Sequence, residues 1–179
     1  MTKPDASLLD DVVGSRVRDA LQLASEALIA ANVRHVVVGG LAVCANGHQR
    51  NANRIELLVG EEAFVRCGKV VSWRAGVPFE VDGIAIELVF PAQDEPFLET
   101  ALSAPPGSFI DAAQLVYLKL KASRMQDRAD VVALIKSSLD VEACRAYLAT
   151  NAPALVSRFN ELVAIATSEM EQGNRPPHR

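Results

Sequence analysis

The sequence predicts an α+β protein: a small mixed β-sheet near residues 33–90, backed by a first helix and followed by a C-terminal helical bundle. Three observations lead there. Apolar residues recur at helical spacing through 7–31. Residues 33–90 hold β-branched runs punctuated by Gly-Gly and Asp-Gly. From Asp94 onward the pattern turns helical.

The elements follow in order. Leu9, Val13, Val17, Leu21, Ala24 and Leu28 line one helical face, with Ser7 as the expected N-cap and Asn32 as the stop. VRHVVVGG (33–40) is a β-rich run ending in two glycines, and LAVCANGH (41–48) a short helix closing at Gly47. RIELLVG (54–60) is a strand, and EEAFVRCGKVV (61–71) a helix. In PFEVDGIAIELVF (78–90), two β-branched runs meet at Asp82-Gly83, a tight hairpin. Four helices are expected at 111–123, 124–138, 140–150 and 153–171, with Pro153 in a first turn. The expected division is 1–93 for an α/β core, 94–171 for a helical region packed on it, and 172–179 for a disordered tail.

Composition removes several function classes. The 179 residues are 50% hydrophobic with a net charge of −4, so no global basic field draws the chain to nucleic acid. Its longest apolar stretch, VVVGGLAVCA (36–45), falls well short of the roughly 20 residues a bilayer needs. MTKPDASLLDD lacks the positive segment of a signal peptide, and a cytoplasmic location without membrane contact is expected. Cys44, Cys67 and Cys144 read as reduced core thiols. His35, His48 and His178 form no zinc spacing.

Two features carry chemistry. A glycine pair after a strand lets backbone approach a phosphate, but Val38-Gly39-Gly40-Leu41-Ala42-Val43 lacks the GxGxxG spacing of a dinucleotide fold. Arg54 and Glu56 stand two positions apart on a strand, so both point to one face and Ile55, Leu57 and Val59 to the other. Such a charged face lines a cleft or a subunit edge. The plainer reading is a solvated pair worth under about 1 kcal/mol.

Gly39-Gly40, then Arg54-Ile55-Glu56-Leu57, then Ile86-Glu87-Leu88 resembles the signature of the DNA polymerase beta-like nucleotidyltransferases. It is most similar to that of the bacterial abortive-infection type. LVYLKLKASRMQDRADVVALI (115–135) resembles that group's helical segment at Lys119, Leu120, Ala122, Arg124, Asp127 and Asp130. The resemblance implies that Glu56 and Glu87 are catalytic carboxylates and Mg²⁺ ligands if activity survives. It implies that Gly39, Gly40, Arg54 and Lys119 contact a nucleotide, with Arg50, Arg124, Asp127 and Asp130 in support.

That chemistry moves a nucleoside monophosphate from a triphosphate, two Mg²⁺ steadying the attacking and leaving oxygens. It needs carboxylates converging on a small volume. Here Arg54 occupies the first ligand position, and guanidinium has no lone pair for a metal. Arg54 is therefore expected as a built-in counter-ion to Glu56 and Glu87, and the family's threonine is Ala52.

Lys119 falls on the apolar side of its helix, snorkelling or reaching into the cleft. Asp127 and Asp130 charge the next helix, pair with Arg124 or orient Lys119. Ser123-x-x-Gln126 has capping-box form. Tyr117, Lys121, Arg124 and Arg128 form a stripe on an ideal helix, the one basic surface an RNA would find.

The expected function is a nucleotide-binding or regulatory module with a degenerate metal site, its cofactor Mg²⁺ if active and otherwise none. The alternatives are an active transferase acting on RNA, protein or a small molecule, and a structural or oligomerisation domain. Partners consistent with these readings are a nucleoside triphosphate, another protein or a second copy; RNA is the poorest fit to the net charge.

Overall fold

The computed structural model describes residues 3–10, 12–63, 79–137 and 139–173. The principal elements are α1 (Ser15–Ala30), β1 (His35–Val38), α2 (Gly39–Ala45), β2 (Ile55–Val59), β3 (Phe79–Val81) and β4 (Ile84–Val89). They are followed by α3 (Ala112–Ala122), α4 (Met125–Lys136), α5 (Val141–Asn151) and α6 (Val156–Gly173). The strands form one mixed sheet in the order β1-β2-β4-β3. Among the described strands only β2 and β4 pair in parallel.

Strand alternation divides the core into two layers. Ile55, Leu57 and Val59 join Val37, Ile86 and Leu88 on one sheet face, against Val17, Ala20, Ala24 and Leu28 of α1. Val36, Val38 and Leu58 occupy the other face, beneath Leu115, Val116, Leu120, Leu134 and Phe159 of the helical layer. Each fully buried Leu or Phe contributes roughly 2 kcal/mol. Among the described residues no helix is long and apolar enough to cross a membrane.

The turns obey backbone chemistry. Asn32 stops α1 with φ +53, a left-handed conformation asparagine tolerates. Asp82 and Gly83 both have positive φ between β3 and β4, as a tight hairpin requires. Pro153–Leu155 is a 3₁₀ turn leading into α6.

The first helix is shorter than its apolar pattern suggests. Asp5, rather than Ser7, caps a separate 3₁₀ turn (Ala6–Leu9) by accepting from the Ser7 amide at 2.9 Å. The helix proper starts at Ser15, after Gly14. Leu9 and Val13 are nonetheless buried, because the turn folds them onto the same core.

A larger departure lies between Asp94 and Asp111. Pro96, Pro105, Pro106 and Gly107 forbid a long helix, leaving short 3₁₀ turns at Pro96–Leu98 and Ala101–Ser103. Residues 107–110 then cover the outer edge of β1. Val37 donates to the Ser108 carbonyl at 2.8 Å, and Ile110 donates to the Val37 carbonyl at 3.0 Å. An otherwise open edge is closed. Cys67 and most of the helix expected at 61–71 lie outside the described residues, as does the tail from 174; α6 itself reaches Gly173.

The glycine pair opens α2 rather than preceding it. Gly39 has φ +65, and a Cβ there would lie 1.9 Å from Glu56 Oε2. Gly39→Ala should therefore destabilise the protein by about 2 kcal/mol in urea unfolding, from backbone strain and the clash together. Gly39→Ala/Glu56→Ala should recover only the part due to the carboxylate, because the Cβ of residue 56 would still lie 2.9 Å from the new one. Wild-type stability for the single variant would refute this account of the contact.

Candidate functional site

The site forms where the helical layer leaves one end of the sheet uncovered. Glu56 on β2 pairs in register with Glu87 on the parallel neighbour β4 and with Val38 on β1. Leu58, two residues on from Glu56, is already sealed beneath the helices. The same strand face thus changes from charged to apolar over one alternation.

Glu56 is partly buried, and its carboxylate has no hydrogen bond or ion pair within 4.0 Å among the described residues. Burial pushes its pKa above the ordinary carboxylate value, and Glu87 adds to the rise. Lys119, Arg124 and Arg54 oppose it through space without cancelling it. Arg54 meets one of its two expected partners: Nη1 stands 4.0 Å from Glu87 Oε2, with the side chains 56% and 38% exposed. A contact so long and so wet contributes well under about 1 kcal/mol. Arg54 is therefore a solvated neighbour of Glu87, with no ion pair to Glu56 among the described residues.

Lys119 is the opposite case. It is 5% exposed, on α3, and its Nζ lies 3.0 Å from Asp127 Oδ1 and 2.8 Å from Asp130 Oδ2. Arg50, from the segment before β2, reaches Asp130 with Nε at 2.8 Å from Oδ1 and Nη2 at 3.0 Å from Oδ2. Gln126 donates to Asp130 Oδ1 at 2.9 Å. Arg124 Nε holds Asp127 Oδ2 at 2.7 Å.

Asp127 thus takes all three suggested parts, since it also accepts from the Arg124 amide at 3.2 Å and caps α4. The cap differs from the Ser123/Gln126 reading. Ser123 has φ +57 and closes α3, so the next helix is capped one residue later. Burial alone would raise the pKa of both aspartates. The hydrogen bonds and charges of Arg124 and Lys119 outweigh it at Asp127, and those of Lys119, Gln126 and Arg50 do so at Asp130, holding both below their usual value.

The break at Ser123 also dissolves the basic stripe. Arg124 caps α4 and Arg128 lies within it, whereas Tyr117 and Lys121 lie on α3. Tyr117 is buried, edge-on to Phe97 with ring centroids 4.9 Å apart, and its hydroxyl donates to Glu95. Lys121 forms an ion pair with the same carboxylate, and the Ala92 amide donates to it at 2.8 Å. Burial pushes Glu95 up, but Lys121, Tyr117 and Ala92 together hold it below its ordinary value. Sequence reasoning missed Glu95 because its partners lie 22 and 26 residues away on α3.

These groups enclose two adjoining compartments that share Glu56, Lys119, Arg124 and Asp127. The larger, about 350 Å³, has an apolar wall of Val38, Val89, Leu115, Leu118 and Ala122, with Glu87 and Glu95 at its margin. The smaller, about 260 Å³, is polar and is also lined by Gly40, Arg50, Asn53, Arg54 and Gln126. Gly40 packs against Arg50, whose Nη2 would lie 3.0 Å from an added Cβ. Both glycines therefore admit protein side chains, Glu56 and Arg50, into the floor of the site. Among the described residues no three His, Cys, Asp or Glu side chains converge to hold a metal ion. Cys44 and Cys144 are buried free thiols outside the site.

Comparison with solved structures finds a similarity to an antigenic nucleotidyltransferase-like protein from Paracoccidioides brasiliensis. It has 14% identity and a TM-score of 0.46, over 88% of this chain and 94% of that one. No family model and no curated protein matches the sequence.

Two stability measurements check the electrostatics. Asp130→Asn should cost about 3–5 kcal/mol, because Lys119 and Arg50 lose a buried partner. The depressed aspartate pKa stabilises the fold above the unfolded value and that contribution is lost as pH falls through the folded one, so the variant should show a weaker acid limb. Glu56→Gln has the opposite sign. A raised pKa favours the fold below the unfolded value and loses that benefit as pH rises through the folded one. The substitution should stabilise the fold at pH 7 and leave it unchanged near pH 3. A pH-independent difference between Glu56→Gln and wild type would contradict this.

Proposed function

We propose that this chain is a nucleotide-binding or regulatory module on a nucleotidyltransferase-like fold, with a degenerate metal site. The observation that carries the proposal is the register of Glu56 beside Glu87, facing Lys119 across the cleft, with Arg54 at the remaining ligand position. The finer kinship, to the abortive-infection type, rests on the motifs at Gly39-Gly40, 54–57, 86–88 and 115–135. A cytoplasmic setting agrees with the buried free thiols of Cys44 and Cys144.

The donor set does not fit two Mg²⁺ ions. Glu56 and Glu87 offer carboxylate oxygens, but Arg54 offers only donors and a fixed positive charge. A dication there would gain no ligand from the guanidinium and would be repelled by it. Solvent screens that repulsion because the side chain is 56% exposed, so the missing ligand weighs most. Arg54 and Arg124 are half or more exposed at the rim of the polar compartment and suit phosphate oxygens. Lys119 supplies positive charge behind them. The apolar wall of the larger compartment suits a nucleobase.

The transferase reading draws on one specific observation, the survival of Glu56 and Glu87 side by side. Calorimetric titration with the four nucleoside triphosphates, in Mg²⁺ and again in EDTA, separates the two. Binding that persists in EDTA is expected. Binding that requires Mg²⁺ would favour the transferase, and the absence of binding in both conditions would leave a structural domain.

A further inference from the structure

The charges around the polar compartment limit the anion it can hold. Arg50, Arg54, Lys119 and Arg124 bring four positive charges to it. Glu56 and Asp127 line it as well, Asp130 stands behind Lys119 and Arg50, and Glu87 stands beside Arg54. Cations and carboxylates are therefore equal in number.

The cations are not equally available. Lys119 is committed to Asp127 and Asp130 at 3.0 and 2.8 Å, and Arg50 to Asp130 at 2.8 Å. Both lie deep in the wall. Arg54 and Arg124 remain as the groups a ligand can engage, with side chains 56% and 60% exposed. Arg124 keeps Asp127 at 2.7 Å, while among the described residues Arg54 has only the 4.0 Å contact with Glu87.

A single phosphate carries about −1.5 to −2 at pH 7 and presents three acceptor oxygens. Two guanidinium forks match that charge and that geometry. Each further phosphoryl group adds a negative charge, which would have to sit near Glu56 or Glu87. In the parent chemistry divalent ions neutralise that chain, and here the donor set does not fit them. Beside the polar compartment, Leu115, Leu118 and Val89 give the larger one an apolar wall for a ring. Its charged lining leans acidic, with Glu56, Glu87, Glu95 and Asp127 against Lys119, Lys121 and Arg124.

We infer that the cleft takes a nucleoside monophosphate in preference to the matching triphosphate. Its phosphate lies between Arg54 and Arg124, its base lies in the apolar compartment, and no divalent ion takes part. The inference rests on the nucleotide-binding reading above and narrows it to one ligand class. A module of this kind senses the product side of nucleotide turnover rather than consuming triphosphate.

Calorimetry in EDTA with the four ribonucleoside 5′-monophosphates and their triphosphates tests it on the full chain. At least one monophosphate is expected to bind tenfold or more tightly than its own triphosphate. Arg54→Ala, at an exposed position, should weaken that monophosphate about tenfold. Glu87→Gln removes one opposing charge, so it should raise triphosphate affinity several-fold and narrow the preference. A triphosphate that binds as well as or better than its monophosphate in EDTA overturns this inference and leaves nucleotide binding standing. Binding by neither series overturns both, and an unchanged preference in Glu87→Gln overturns the charge argument behind it.

Discussion

The lysine at the centre of the cleft is the constraint around which the site is organised. Lys119 is buried, and an ammonium out of water is costly unless compensated. Asp127 and Asp130 compensate it at hydrogen-bond distance, and they in turn require Arg124 and Arg50. The chain of charges ties the segment before β2, helix α3 and the start of α4 into one unit. Such a network adds less net stability than its contact count suggests, since each desolvated ion offsets much of the Coulomb gain. Its effect is positional: few arrangements of these three segments leave all five groups paired.

Pinning α3 and α4 in this way determines where the helical layer stops. Leu58 is covered and Glu56 is not, although both lie on one face of β2 two residues apart. An open end of a parallel strand pair is thereby left with two carboxylates in register. Gly39 completes the arrangement by yielding the space of a side chain to the Glu56 carboxylate. The glycine pair, which in sequence suggests backbone laid against a phosphate, instead accommodates protein side chains. The site is an open cleft whose charges balance internally.

Arg54 shows how a single position changes what such a cleft asks of a ligand. A carboxylate there would add to Glu56 and Glu87 and call for divalent cations. A guanidinium there supplies a local positive charge, without the geometry a metal demands. Its contact with Glu87 is long and solvated, so the guanidinium stays open to solvent. Glu56 meanwhile stays partly buried with no close partner among the described residues, at a local cost in stability.

The sequence by itself determined what short-range rules control. Strand alternation separated Arg54, Glu56 and Leu58 from Ile55, Leu57 and Val59. Asp82-Gly83 specified the hairpin, and 3.6-residue periodicity marked the four C-terminal helices to within a few residues. The carboxylate pair and the importance of Lys119 were legible only through motif resemblance, since each of those residues taken alone has a solvated reading. Tertiary structure decided the remainder. The covering of β1 by residues 107–110, the shared Glu95 between Tyr117 and Lys121, and the 80-residue reach from Arg50 to Asp130 depend on segments meeting in space. Ser123 makes the same point locally: one left-handed residue divides an apparent basic stripe between two helices. Local patterns follow from backbone geometry, which every residue carries with it, whereas charge pairing across the cleft depends on distances that exist only after packing.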